Sequence, residues 1–160
     1  MRSLVKPCDQ QQQGFNLKFS AYYYRSAGAR LLAHQLKQGC NWAAKCMANE
    51  MVKLLPENGI LIPIPSRTGK ATSNLLIARH LSSQTGLPVC NVITGNSRES
   101  IYQLKKQGTA VQRDFFGYRL SSRAAGNIIL IDGVCATGIT AGAAASLFSV
   151  RPTLVVHSIL

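Results

Sequence analysis

Asp132, followed five residues later by Thr137-Gly138-Ile139-Thr140, is the spacing in this chain best suited to chemistry. Two threonine hydroxyls, with backbone that Gly138 leaves open to close approach, can grip an anion such as a phosphate. The apolar run Ile128–Ile131 just before Asp132 predicts a short buried strand, and the Ala-rich run Ala141–Phe148 predicts a helix after the turn. Ala136, Thr137, Gly138, Ile139 and Thr140 therefore sit where a strand hands over to a helix. The unpaired N–H groups of a first helical turn and the positive end of its dipole would converge there. Asp132 falls at the carboxyl end of the strand, where open α/β sheets place their ligands.

A second strand end carries complementary groups. Ile60-Leu61-Ile62 predicts a buried strand that ends in Pro63-Ile64-Pro65. Ser66, Arg67 and Lys70 follow in a small-polar loop with two cations. A third stretch, 96–113, has no strong periodicity but holds Arg98, Lys105, Lys106 and Arg113. A long polar loop inside a compact domain is more often functional than idle.

The elements that must position these groups follow from spacing. Phe19–Tyr24 reads as an aromatic strand, whose tyrosines suit either base stacking or packing. Leu31, Leu32 and Leu36 recur at helical spacing over Ala27–Lys37, with Gly39 as the expected cap. Asn41 would cap a second helix running to about Leu55, where Pro56 stops it. A helix over 73–85 closes at Gly86, a strand begins at Pro88–Val92, another covers Phe115–Leu120, and Thr153–Leu160 forms the last. Strands alternating with helices predict an α/β fold, an open and mainly parallel sheet flanked by helices, in one domain spanning 1–160. The loops after Ile62 and Ile131 would then share the ligand edge.

Composition narrows the classes. With 160 residues and 46% of them hydrophobic, the chain is long enough to bury a sizeable core. No apolar run approaches the ~20 residues of a membrane span, so no membrane partner and a cytoplasmic location are expected. Eighteen Lys and Arg against six Asp and Glu give +12, which attracts polyanions, whether nucleic acid or a phosphate-rich metabolite. Five cysteines show no metal-finger spacing and read as reduced thiols, so no zinc site is expected. Cys135 near a helix start would be a nucleophile by lowered thiol pKa, but no Arg follows at phosphatase spacing, and packing is its other reading. His34, His80 and His157 have no motif around them and read as structural. The motifs of P-loop, dinucleotide, zinc-protease and α/β-hydrolase sites are all missing.

The stretch from Ile128 to Thr140 resembles the phosphoribosyl-diphosphate (PRPP) loop of type I phosphoribosyltransferases, an apolar strand, two acids, two apolar residues and T-T-G-x-T. Here Gly133 stands at the second acid and Ala136 at the first Thr. From about Tyr22 to Leu160 the order of features is similar to the ComF-type branch of that family. His34–Gly39, Pro63-Ile64-Pro65, Asn74–Arg79 and the series Arg98, Gln103, Arg113, Phe116 carry the likeness. The paired zinc-binding cysteines often found at the front of ComF proteins are absent.

The resemblance implies a type I phosphoribosyltransferase-like fold that moves phosphoribose from PRPP, with Mg²⁺, to an acceptor it does not identify. Thr137–Thr140 with Ala136 would grip the 5-phosphate, Asp132 a ribose hydroxyl, and Ser66, Arg67 and Lys70 the pyrophosphate. Residues 96–113 would form a flexible lid, and a hood within 1–30 would select the acceptor. On the same likeness, Gly133→Asp is expected to raise PRPP affinity by restoring the second acid. A catalytically degenerate sensor of PRPP or another phosphate, and a nucleic-acid-associated protein, remain as alternative functions; a homodimer is one assembly left open.

Overall fold

The computed structural model describes residues 14–99, 101–108 and 113–160. Cys8, the Gln10–Gln13 run, residues 1–13 of the expected hood and positions 100 and 109–112 of the expected lid lie outside the described residues.

Strands β1 (Asn16–Tyr22), β2 (Ile60–Pro63), β5 (Ile128–Cys135) and β6 (Thr153–Ile159) form a four-stranded parallel sheet in the order β1-β6-β5-β2. Two short strands, β3 (Ile93–Thr94) and β4 (Arg119–Leu120), pair antiparallel as a separate ribbon. The helices are α1 (Ala27–Lys37), α2 (Asn41–Met51), α3 (Thr72–Thr85), α4 (Ile101–Lys106) and α5 (Ile139–Ala145). The expectation of an open parallel α/β sheet flanked by helices holds at this level.

Strand alternation divides the core into two layers. Ile129, Ile131 and Val155 point toward α1, α2 and α3, packing with Leu36, Met47, Met51, Ile77 and Leu81. Ile128, Leu130, Leu154 and Val156 point the other way, onto Phe15, Ile93 and the small residues of α5. A sheet buried on both faces needs continuous apolar runs, and Ile128–Ile131 and Leu154–Val156 supply them.

Several boundaries differ from the sequence expectation, each for a local reason. β5 does not end at Ile131, because pairing with β6 carries it through Asp132↔Val156 and Val134↔Ser158 to Cys135↔Ile159. Cys135 is thus a buried strand residue and does not open a helix, so it lacks the setting of an activated nucleophile. α5 stops at Ala145, short of Phe148: Leu147 and Phe148 bond back three residues, to Ala144 and Ala145, which tightens the last turn. β1 starts earlier than Phe19, since pairing with β6 begins at Asn16, and Tyr23–Arg25 turns as a 3₁₀ segment. Cys40 and not Asn41 caps α2; the Asn41 amide oxygen instead meets His80 Nε2 at 2.9 Å.

The strand expected at Pro88–Val92 reduces to one parallel bridge, Val89 to Leu61, since Pro88 has no N–H for the ladder. The 115–120 strand shrinks to β4 behind a 3₁₀ turn at Arg113–Phe116. Stretch 96–113 carries α4 at its centre. No helix among the described residues is long and apolar enough to cross a membrane.

Candidate functional site

Parallel pairing of β2 with β5 matches Ile62 with Leu130 and Pro63 with Ile131. Ile64 N–H then donates to Ile131 C=O at 3.0 Å, so β2 leaves the sheet beside Asp132 while β5 runs on along β6 to Cys135. The Ser66–Lys70 loop therefore follows the strand end that lies beside Asp132.

Asn74, in the first turn of α3, ties the end of β2 to Asp132 within β5. Its Nδ2 donates to Ile64 C=O at 2.8 Å and to Asp132 Oδ1 at 3.0 Å, and its Oδ1 accepts from Gly133 N–H at 3.1 Å. Asp132 Oδ1 also accepts from Gly133 N–H at 2.8 Å. Burial pushes the Asp132 carboxyl up to about 6. The Asn74 amide, the Gly133 and Val134 N–H groups and the charge of Arg98 pull the other way without cancelling it.

The turn after β5 places Ala136 at the surface, Thr137 half-buried and Gly138 buried. Gly138 has φ +82° and caps α5, a left-handed conformation that a side chain would strain. Ile139 and Thr140 are the first two residues of α5, and Ile139 N–H reaches Thr137 Oγ1 at 3.4 Å. With seven residues, α5 carries a small dipole, so an anion here would depend on turn N–H groups and threonine hydroxyls.

The Ser66–Lys70 loop closes on itself. Ser66 N–H donates to Lys70 C=O at 3.0 Å and Gly69 N–H to Ser66 C=O at 2.9 Å, while the Ser66 and Thr68 hydroxyls lie 3.2 Å apart. Arg67 and Lys70 are exposed and Ser66 half-buried. Behind the loop, Gly95 N–H donates to Gly69 C=O at 3.0 Å and Arg98 N–H to Arg67 C=O at 2.7 Å.

Three residues not singled out as ligand contacts complete the edge. The Arg98 guanidinium carbon lies 4.7 Å from the centre of the Phe116 ring, a cation–π contact. Tyr118 stacks on Phe116 at 5.2 Å and donates its hydroxyl to Pro65 C=O at 3.0 Å. Burial raises the Tyr118 hydroxyl to about 12, against the hydrogen-bonding guanidinium and charge of Arg98, with Asp132 adding a smaller upward push. The sequence signal for Arg98 and Phe116 is only their order in the ComF-like series; Tyr118 lies in no motif, within the stretch expected as a strand.

Gly133 faces the helical layer. A Cβ there would lie 3.0 Å from Leu36 Cδ2 and 3.8 Å from Ile77 Cδ1 and Met47 Sδ. The place where the second acid would start is thus occupied by apolar side chains, and Gly133→Asp would bury a carboxylate among them. The donor set consequently does not fit a divalent metal held by the protein. Asp132 is the one acid at residues 132–133, and its Oδ1 is already engaged by Asn74 and Gly133. No group of three or more His, Cys, Asp or Glu that could hold a metal ion occurs among the described residues.

No family model, no curated protein and no solved structure matches this chain.

Proposed function

We propose that the protein binds PRPP or a close phosphoribosyl relative at the shared edge of β2 and β5, and that it transfers the phosphoribosyl group to an acceptor. The observation that carries this reading is the Asn74–Asp132 link. It holds the Asp132 carboxylate against Ile64, just ahead of the Ser66–Lys70 loop, and the Thr137–Thr140 turn follows the end of the same strand that carries Asp132. The arrangement, like the order of motifs along the chain, supports a type I phosphoribosyltransferase-like fold.

In this reading Thr137, Gly138, Ile139 and Thr140, with the backbone at Ala136, hold the 5-phosphate. Asp132 accepts from a ribose hydroxyl, and Ser66, Arg67 and Lys70 meet the pyrophosphate. The bond between ribose C1 and a diphosphate oxygen breaks, pyrophosphate leaves with the electron pair, and the acceptor's lone pair forms the new bond to C1. Positive charge grows on the sugar and negative charge on the leaving group. A fixed carboxylate near the first and cations drawn to the second favour that separation.

Calorimetric titration of the chain with PRPP tests the binding, and pyrophosphate release over a panel of nucleobases tests the transfer. Asp132→Asn is expected to weaken PRPP binding about tenfold, in line with the loss of a charge-assisted hydrogen bond. Absence of heat with PRPP in both the presence and absence of Mg²⁺ would sink the reading. Binding without pyrophosphate release from any acceptor would leave a phosphoribosyl sensor in its place.

A further inference from the structure

A diphosphate ester arrives with several negative charges, and phosphoribosyl chemistry ordinarily answers them with a divalent cation. The protein side of such a cation is poorly provided here. Asp132 is committed to Asn74 and Gly133, and the space beside Gly133 is filled by Leu36. Some other positive group must then meet the diphosphate.

Arg98 is built for that part. Its N–H bonds Arg67 C=O at 2.7 Å, which fastens it to the loop assigned to pyrophosphate. Its guanidinium lies 4.7 Å from the Phe116 ring centre, and Phe116 is fully buried, so the cation stands on a fixed platform. Its charge acts on Asp132 and on Tyr118, so it lies within electrostatic reach of both. Its Nε is buried and has no hydrogen-bond partner among the described residues. A buried unpaired donor is costly, and an anion arriving beside it would relieve that cost. Guanidinium is planar, always charged and weakly hydrated, and it meets phosphate oxygens two at a time. By contrast Arg67 and Lys70 are exposed and must be ordered on binding.

We infer that Arg98 takes over the charge-neutralising part of the divalent cation, so that this chain binds a diphosphate ester without metal. The inference rests on the phosphoribosyl reading of the site and extends it to the charge balance.

The test is calorimetry of the full chain with PRPP, once with Mg²⁺ and once with a metal chelator, on wild type, Arg98→Gln and Arg98→Lys. Wild type is expected to bind with Kd values within about threefold of each other in the two buffers, well under the tenfold that one charged hydrogen bond is worth. Arg98→Gln is expected to lose about tenfold or more in chelator and less in Mg²⁺, where the ion takes up part of the load. Arg98→Lys, which keeps a charge and a long stem over Phe116, is expected to fall between them and guards against misfolding of the Gln variant. Thermal melts of each variant report folding separately. Wild-type binding that vanishes in chelator overturns the inference while leaving the phosphoribosyl reading intact. Arg98→Gln that melts lower yet binds as wild type does in chelator also overturns it, leaving Arg98 a packing cation. No binding by wild type in either buffer overturns both.

Discussion

Asn74 Nδ2 lies 3.0 Å from Asp132 Oδ1, and through that one amide the N-terminal turn of α3 fixes the carboxylate beside the end of β2. The same Asn74 side chain also holds Ile64 C=O and Gly133 N–H, so one residue satisfies a carboxylate, a carbonyl and an amide. Asn74→Ala would leave polar groups short of partners in a largely buried place. Gly133 N–H and Asp132 Oδ1 keep each other, so the cost is expected to be roughly 1–3 kcal/mol, mainly from Ile64 C=O. Urea unfolding of the variant reads this directly, and an unchanged midpoint at unchanged slope would show that the network carries no net energy.

The raised Asp132 pKa predicts a pH dependence whose sign is opposite to that of an ordinary ion-paired acid. Its ordinary value is 3.8 and burial lifts the folded value to about 6. The folded state therefore holds a proton that the unfolded chain releases between these two values. This group's contribution is fully present below the unfolded pKa and is lost as pH rises through the folded one. Asp132→Asn mimics the protonated form and removes the titration. The stability of wild type relative to Asp132→Asn should thus fall as pH rises from about 4 to about 7. Urea midpoints of both proteins across that range check it; a constant difference would mean that the carboxyl is not desolvated.

Gly133→Asp is expected to destabilise the fold and not to restore ligand affinity. The new Cβ would lie 3.0 Å from Leu36 Cδ2, with Ile77 and Met47 behind it. A carboxylate entering that apolar space has no partner there, and an unpaired buried polar group costs roughly 2–7 kcal/mol depending on the reference state. Since the closest atom is the end of a flexible side chain, Leu36→Ala in the same chain should recover part of the loss. A pair of thermal melts, single against double variant, decides the matter. A Gly133→Asp protein that melts with wild type would mean that the acid turns away from the helices.

The sheet was legible where its residues bury both faces. Ile60–Ile62, Ile128–Ile131 and Leu154–Val156 are unbroken apolar runs, and such runs in this length have few other homes. Parallel pairing of β2 with β5 sets the end of β2 beside Asp132. The extension of β5 past Asp132-Gly133 was not legible. Those two residues look like a strand break, and only the facing register of β6 keeps them in the ladder. The parts played by Asn74, Arg98 and Tyr118 depend on contacts between distant segments and leave little local trace. Arg98 in particular sits in a stretch with no periodicity. The blocked space at Gly133 depends on Leu36 from α1, so the glycine alone reads as a missing acid when it is also a packing position.

Glu50 and His157 supply a second polar link between helix and sheet, away from the residues assigned to the ligand. His157 is almost wholly buried in β6, and its Nε2 pairs with Glu50 Oε2 at the end of α2. Glu50 itself is 54% exposed, so ion pairing with it is largely screened by water and contributes little by itself. What matters is the imidazole. Its Nδ1 has no partner among the described residues, and losing Glu50 would strip the other nitrogen as well. Glu50→Ala is therefore expected to destabilise by about 1–3 kcal/mol, the cost of an unsatisfied buried group. His157→Phe removes both orphan risks at similar bulk and should cost less. In the His157→Phe background, Glu50→Ala should cost only a few tenths of a kcal/mol, because there is no imidazole left to strand. A double-variant cycle by urea unfolding measures that coupling, and equal costs of Glu50→Ala in the two backgrounds would show that the pair does not hold α2 to the sheet.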